Sequence, residues 1–132
     1  MTEQKLVEIV NLSDYNGGYK GVQLYVDNSP VLILGPELNS WHDILLRSFL
    51  EERGLKFSTI QQPGAKTPIQ IQPPALKGER YRVVGMGEFH LDPKKKWYSG
   101  AGGGSYCYKI GIDEEHRTLV KRALEASGWE IL

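Results

Sequence analysis

Val31-Leu32-Ile33-Leu34-Gly35-Pro36-Glu37-Leu38-Asn39-Ser40-Trp41-His42-Asp43-Ile44-Leu45-Leu46-Arg47-Ser48-Phe49-Leu50 changes its period part-way along. The first four residues are a continuous apolar run, the pattern of a strand buried on both faces. Gly35-Pro36 breaks that strand. From Trp41 the apolar residues recur at helical spacing. Trp41, Ile44, Leu45 and Phe49 form one stripe, widened by Leu46 and Leu50, while Glu51, Glu52 and Arg53 face water. Ser40 with Asp43 three residues later resembles a capping box, and Gly54 is a natural stop. The spacing predicts a helix over 40–53.

On the N-terminal side, Tyr19 to Val26 alternates, with Val22, Leu24 and Val26 on one face. That predicts a half-buried strand. Asp27-Asn28-Ser29-Pro30 turns the chain, so this strand and 31–34 read as a hairpin. Leu6 to Val10 reads as an earlier strand. On the C-terminal side, Leu55 to Ile60 alternates again. Ile69-Gln70-Ile71 reads as a short edge strand among Pro63, Pro68, Pro73 and Pro74. Tyr81 to Phe89 reads as a central strand, and Gly85 and Gly87 within it point to a bulge or a close backbone contact. Residues 92–105, rich in Lys and Gly, read as an inserted flexible loop. Tyr106 to Ile112 reads as a strand. Asp113 caps a second helix over 113–127, with Leu119, Val120, Ala123 and Leu124 as its buried stripe and Gly128 as its stop. Trp129 to Leu132 reads as a last strand. Two helices separated by several strands predict an α+β fold, a single domain over 1–132 with a mixed β-sheet and two main helices.

Composition narrows the function classes. The 132 residues carry 16 Lys+Arg and 16 Asp+Glu, a formal net charge of zero, which argues against bulk nucleic-acid binding. The single cysteine, Cys107, excludes an intramolecular disulfide and a cysteine-rich zinc site. No apolar run reaches the roughly 20 residues of a membrane span, and Met1 to Leu6 carries no apolar leader. A cytoplasmic protein with no membrane partner is expected.

His42 is the informative histidine. It falls in the first turn of the first helix, where free backbone N–H groups can hold an anion. The helix dipole there disfavours its charged form, which suits a general base. On its own it reads more readily as a surface histidine in a helix's first turn. His90 and His116 are partners or polar surface. No His-x-x-x-His or His-Glu-x-x-His spacing exists, so no metal site is expected. No Gly-x-Ser-x-Gly elbow exists either. Gly100-Ala101-Gly102-Gly103-Gly104-Ser105 lacks the Gly-Lys-Ser/Thr that opens a helix in a phosphate loop, and reads as a hairpin loop. Lys94-Lys95-Lys96-Trp97-Tyr98 mixes basic and aromatic residues as single-strand binders do, or forms a solvated loop tip.

Gly18-Tyr19-Lys20-Gly21-Val22-Gln23-Leu24-Tyr25-Val26 resembles the first strand of the janus/ocnus family, the small phosphohistidine phosphatases. There an aromatic-Lys pair opens the strand. Gly35 followed by Trp41-His42-Asp43-Ile44 resembles the family's strand-ending glycine and the aromatic-His that starts its first helix, with one residue fewer. Arg53-Gly54-Leu55-Lys56 and Val83-Val84-Gly85-Met86-Gly87 resemble the end of that helix and the central strand. The chain departs from the family at Gln62-Pro63-Gly64-Ala65-Lys66, where the family has Gly-Gly-Gly-Arg, in a shorter first helix, and in the stretch 94–105. The resemblance implies a phosphohistidine phosphatase-like fold and a hydrolase with His42 as catalytic base. It implies phosphate binding by Lys20, Trp41, Asp43, Lys66 and Gly87, with Lys66 in place of the arginine. No metal or cofactor is implied, and the partner is a phosphorylated protein or a small phosphoramidate. The alternative is a non-catalytic module on the same fold that contacts a protein or nucleic acid through 94–105.

Overall fold

The two longest strands form the centre of the molecule. In the computed structural model, which describes residues 7–59, 73–105 and 108–132, β2 (Gly17–Val26) pairs antiparallel with β4 (Tyr81–Asp92). β3 (Ser29–Pro36) returns antiparallel on the other side of β2. The connecting Asp27 and Asn28 have φ of 49° and 67°, the left-handed pair that a tight hairpin needs and that these residue types tolerate. β1 (Glu8–Val10) lies parallel to β3, β5 (Trp97–Gly102) antiparallel to β4, and β8 (Glu130–Ile131) parallel to β5. The sheet order is β1-β3-β2-β4-β5-β8, and β6 (Gly104–Ser105) pairs separately with β7 (Ile110–Gly111).

One helix covers each face. α1 (His42–Glu52) buries Leu46, Phe49 and Leu50 against Val22, Val31, Ile33 and Met86. α2 (Glu114–Ala126) sets Val120 and Leu124 against Leu32, Leu34, Phe89 and Tyr98. An isolated helix of α1's length is marginal in water. Each fully buried Leu or Phe contributes about 1.5–3 kcal/mol, so packing holds α1 in place. The chain is thus a single α+β domain with a mixed sheet and two helices. Among the described residues no helix is long and apolar enough to cross a membrane.

β2 is buried on both faces, not half-buried: Gln23 is as inaccessible as Val22. The Gln23 side chain stays polar there because it satisfies the backbone of Asp113. Its Oε1 accepts from the Asp113 N–H at 2.7 Å and its Nε2 donates to the Asp113 carbonyl at 3.2 Å. Gly85 leaves the space for this, since a Cβ there would meet Gln23 Oε1. The bulge expected in β4 is present: Gln23 pairs with Gly85 and Leu24 with Val83, which leaves Val84 without a partner on β2.

Five local expectations are corrected. Residues 92–105 are mostly strand rather than loop. β4 runs on to Asp92, and β5 begins after the turn because Tyr98 packs into the core with no exposed surface. Over the described residues 55–59, the expected strand reduces to an isolated bridge between Thr59 and Pro74. Of the strand expected over 106–112, the described residues 108–112 show a turn followed by Ile110–Gly111, and residues 106 and 107 lie outside the described residues. No capping box forms: Trp41 occupies the N-cap of α1 without a side-chain cap bond, and its ring is exposed rather than in the buried stripe. Asp113, by contrast, does cap α2, accepting from the His116 N–H at 2.9 Å. The expected strand at 69–71, Lys66 and Cys107 lie outside the described residues.

Candidate functional site

The hairpin β2–β3 and the short link to α1 bring Lys20 and His42 to one place. Lys20 sits on β2 opposite Gly35 of β3 and Glu88 of β4. Gly35 lets the chain after β3 fold closely back, because a Cβ there would strike Ser40 and Leu45. α1 then starts beside Lys20. The Lys20 ammonium lies 4.6 Å from the centre of the Trp41 ring, a cation–π contact. Lys20, Trp41, His42, Asp43 and Glu88, with Gly104 and Ser105 from β6, line a cleft of about 250 Å³.

His42 has a defined tautomer. Its Nε2 lies 2.9 Å from the carbonyl oxygen of Gly87. A carbonyl only accepts, so Nε2 carries the proton and neutral His42 keeps its lone pair on Nδ1. Burial is the main cause that pushes the His42 pKa below the ordinary histidine value. The Gly87 carbonyl opposes this, Lys20 reinforces it, and Glu88 and Asp43 oppose it more weakly. His42 is therefore a neutral imidazole with a fixed ring and a basic nitrogen.

The N-terminus of α1 adds donors. Trp41 gives no side-chain cap bond, and an indole has no acceptor to offer. Backbone N–H groups in the first turn, next to Asp43, therefore lack a side-chain cap and suit an anionic group.

Of the residues expected at the site, Lys20, Trp41, His42 and Asp43 share the cleft. Gly87 does not line it. Gly87 meets the site through its carbonyl oxygen, which accepts from His42 Nε2. His116 is not at the surface: it is fully buried, with Nε2 on the carbonyls of Leu24 and Val31. His90 lies in a separate cleft with Asp92 and Trp97. Glu88, Gly104 and Ser105 were not anticipated. Only the Lys20–Glu88 register could have singled out Glu88, and registers follow from pairing, not from local pattern. Among the described residues, no group of three His, Cys, Asp or Glu side chains is placed to hold a metal ion. Comparison of the chain with protein families, with curated proteins and with solved structures finds no match.

Proposed function

We propose that this protein hydrolyses the P–N bond of a phosphoramidate, on a phosphorylated protein or a small molecule, as its resemblance to the janus/ocnus phosphohistidine phosphatases implies. The observation that carries the reading is the meeting of Lys20 and a neutral, proton-accepting His42 in one cleft at an uncapped helix start. The phosphoryl group sits between the Lys20 ammonium and the backbone donors of the first turn. His42 Nδ1 takes a proton from the attacking water as the P–O bond forms. Lys20 stabilises charge on the equatorial oxygens. The Gly87 carbonyl keeps the ring aimed. A cytoplasmic setting fits a chain with one cysteine.

The test is hydrolysis of phosphohistidine and phospholysine peptides by wild type, His42→Ala and Lys20→Ala. His42→Ala should lower kcat by roughly 10²–10⁴-fold, the usual contribution of a general base. Lys20→Ala should mainly raise KM. Hydrolysis that survives in His42→Ala would refute the assignment. A wild type inactive on every phosphoramidate would instead favour a binding module, for which the Lys94–Lys96 turn and exposed Trp97, under the Lys95 ammonium at 5.0 Å, are the contact surface.

A further inference from the structure

The charge of the cleft is unusual for a phosphate site. Its lining holds one cation, Lys20, and two carboxylates, Asp43 and Glu88, beside a neutral imidazole. A phosphomonoester dianion gains from Lys20 and loses to the carboxylates. Glu88 is the carboxylate directly across the strand pair from Lys20, on the same face of the sheet. Residues so paired have Cβ atoms about 4.5–5.5 Å apart. No ion pair joins them; the Lys20 ammonium turns to the Trp41 ring. The cleft therefore presents a cation and an anion side by side, complementary to a ligand that carries both charges next to each other.

An N-phosphorylated amine is such a ligand. Its nitrogen takes up a proton, so the reacting group is a zwitterion with an anionic phosphoryl group bonded to a cationic nitrogen. An O-phosphate ester has no positive end. We infer that Glu88 is a specificity-determining residue that binds the protonated leaving nitrogen and so selects P–N over P–O substrates. This rests on the phosphatase reading above and adds to it the residue that discriminates between the two bonds.

The step balances without a further reactant. Water attacks phosphorus, its proton passes to His42 Nδ1, and a P–O bond forms. The P–N bond breaks and its electron pair goes to nitrogen, which already bears its proton and leaves as a neutral amine. The imidazolium then returns its proton to the amine, giving an ammonium ion and hydrogen phosphate. Glu88 gives up no proton. It holds the nitrogen in its charged form until bond cleavage, which matters because phosphoryl transfer has a loose transition state with extensive leaving-group cleavage.

The experiment compares wild type, Glu88→Gln and Glu88→Asp on phosphoramidate, an N-phospholysine peptide and 4-nitrophenyl phosphate. Inhibition by inorganic phosphate serves as a second readout. Glu88→Gln should lower kcat/KM on both P–N substrates by at least about tenfold, the value of one hydrogen bond to a charged group. The same variant should raise hydrolysis of the O-ester and bind inorganic phosphate more tightly, because a like charge has left the site. Glu88→Asp should recover part of the P–N activity. Effects of opposite sign on the two classes exclude a merely structural role. Glu88→Gln that slows both classes alike, or neither, would overturn the assignment and leave the phosphatase reading standing. A wild type inactive on all three substrates would remove the phosphatase reading itself.

Discussion

Replacing Gly87 with Ala should damage stability and the site through one contact. A Cβ at Gly87 would lie 2.5 Å from the carbonyl oxygen of Gly102 and 2.5 Å from Ile112 Cδ1. Real Cβ atoms essentially never come within 3.0 Å of such neighbours, so about half an ångström must be found. Ile112 can rotate, but Gly102 is backbone. β5 is hydrogen-bonded to β4 on one side and β8 on the other, with Tyr98 locked in the core. β4 must therefore bend, at a cost of roughly 1–3 kcal/mol for overpacking. The Gly87 carbonyl that holds His42 moves with it. A misplacement near 1 Å can cost about 10²-fold in rate, so half that distance should cost roughly tenfold in kcat. Gly102→Ala is the internal control, since a Cβ there meets nothing within 4 Å. The assay is urea unfolding of both variants, with ¹⁵N chemical shifts of the His42 ring to report the tautomer. If Gly87→Ala unfolds at the wild-type midpoint, or Gly102→Ala loses as much, the close-packing argument is wrong.

Two further predictions concern the fold. His116 is fully buried, its Nε2–H shared between two carbonyls and its Nδ1 without a partner. Protonation would create a buried charge and an N–H with no acceptor, so burial, partly opposed by the two carbonyls and Asp113, holds its pKa below the ordinary value. His42 is depressed in the same direction. Below about pH 6.5, where an unfolded histidine takes up its proton, the unfolded chain binds more protons than the native one. Stability should therefore be full above that pH and fall as the pH drops toward the depressed native values. Urea midpoints from pH 8 to 5 should show this slope, and His116→Gln should flatten it; an equal slope in the variant would show that other groups cause it. Gln23→Leu should cost about 1–3 kcal/mol, because it leaves the part-buried Asp113 N–H without its partner. Amide exchange at Asp113 should accelerate; unchanged protection would mean the Gln23 bonds contribute nothing.

The parts legible in the sequence were those whose cause is local. Asp27-Asn28 makes its own turn, and the stripes of α1 and α2 repeat at helical period, so both helices lie where their spacing predicts. The approach of Lys20 to His42 follows from the order hairpin, then helix. β5 was hidden because Gly100 to Gly104 carry no side-chain pattern, and the burial of Tyr98 depends on α2, distant in sequence. Trp41 misled because an aromatic on the apolar period looks like core, whereas the helix begins one residue later and turns its ring outward over Lys20. The location of His116 depends on carbonyls of the β2–β3 hairpin, about 90 residues earlier, which no local window contains.

The outer strand β1 has a consequence for how the protein behaves in concentrated solution. Three residues, Glu8 to Val10, pair with Val31, Leu32 and Ile33 of β3. Besides those pairings, Val10 and Ile9 pack against the two cores, and an exposed Glu8–Arg53 ion pair, a kind that contributes only about 0–1 kcal/mol, ties β1 to the end of α1. Behind β1 lies Val31-Leu32-Ile33-Leu34, uncharged and rich in β-branched residues, the composition from which self-templating strands are made. Pro30 and Pro36 flank that run and limit how far a foreign strand could extend along it. Within those limits, fraying of three residues is enough to bare a sticky edge. Intermolecular association can then begin from a molecule that is otherwise folded.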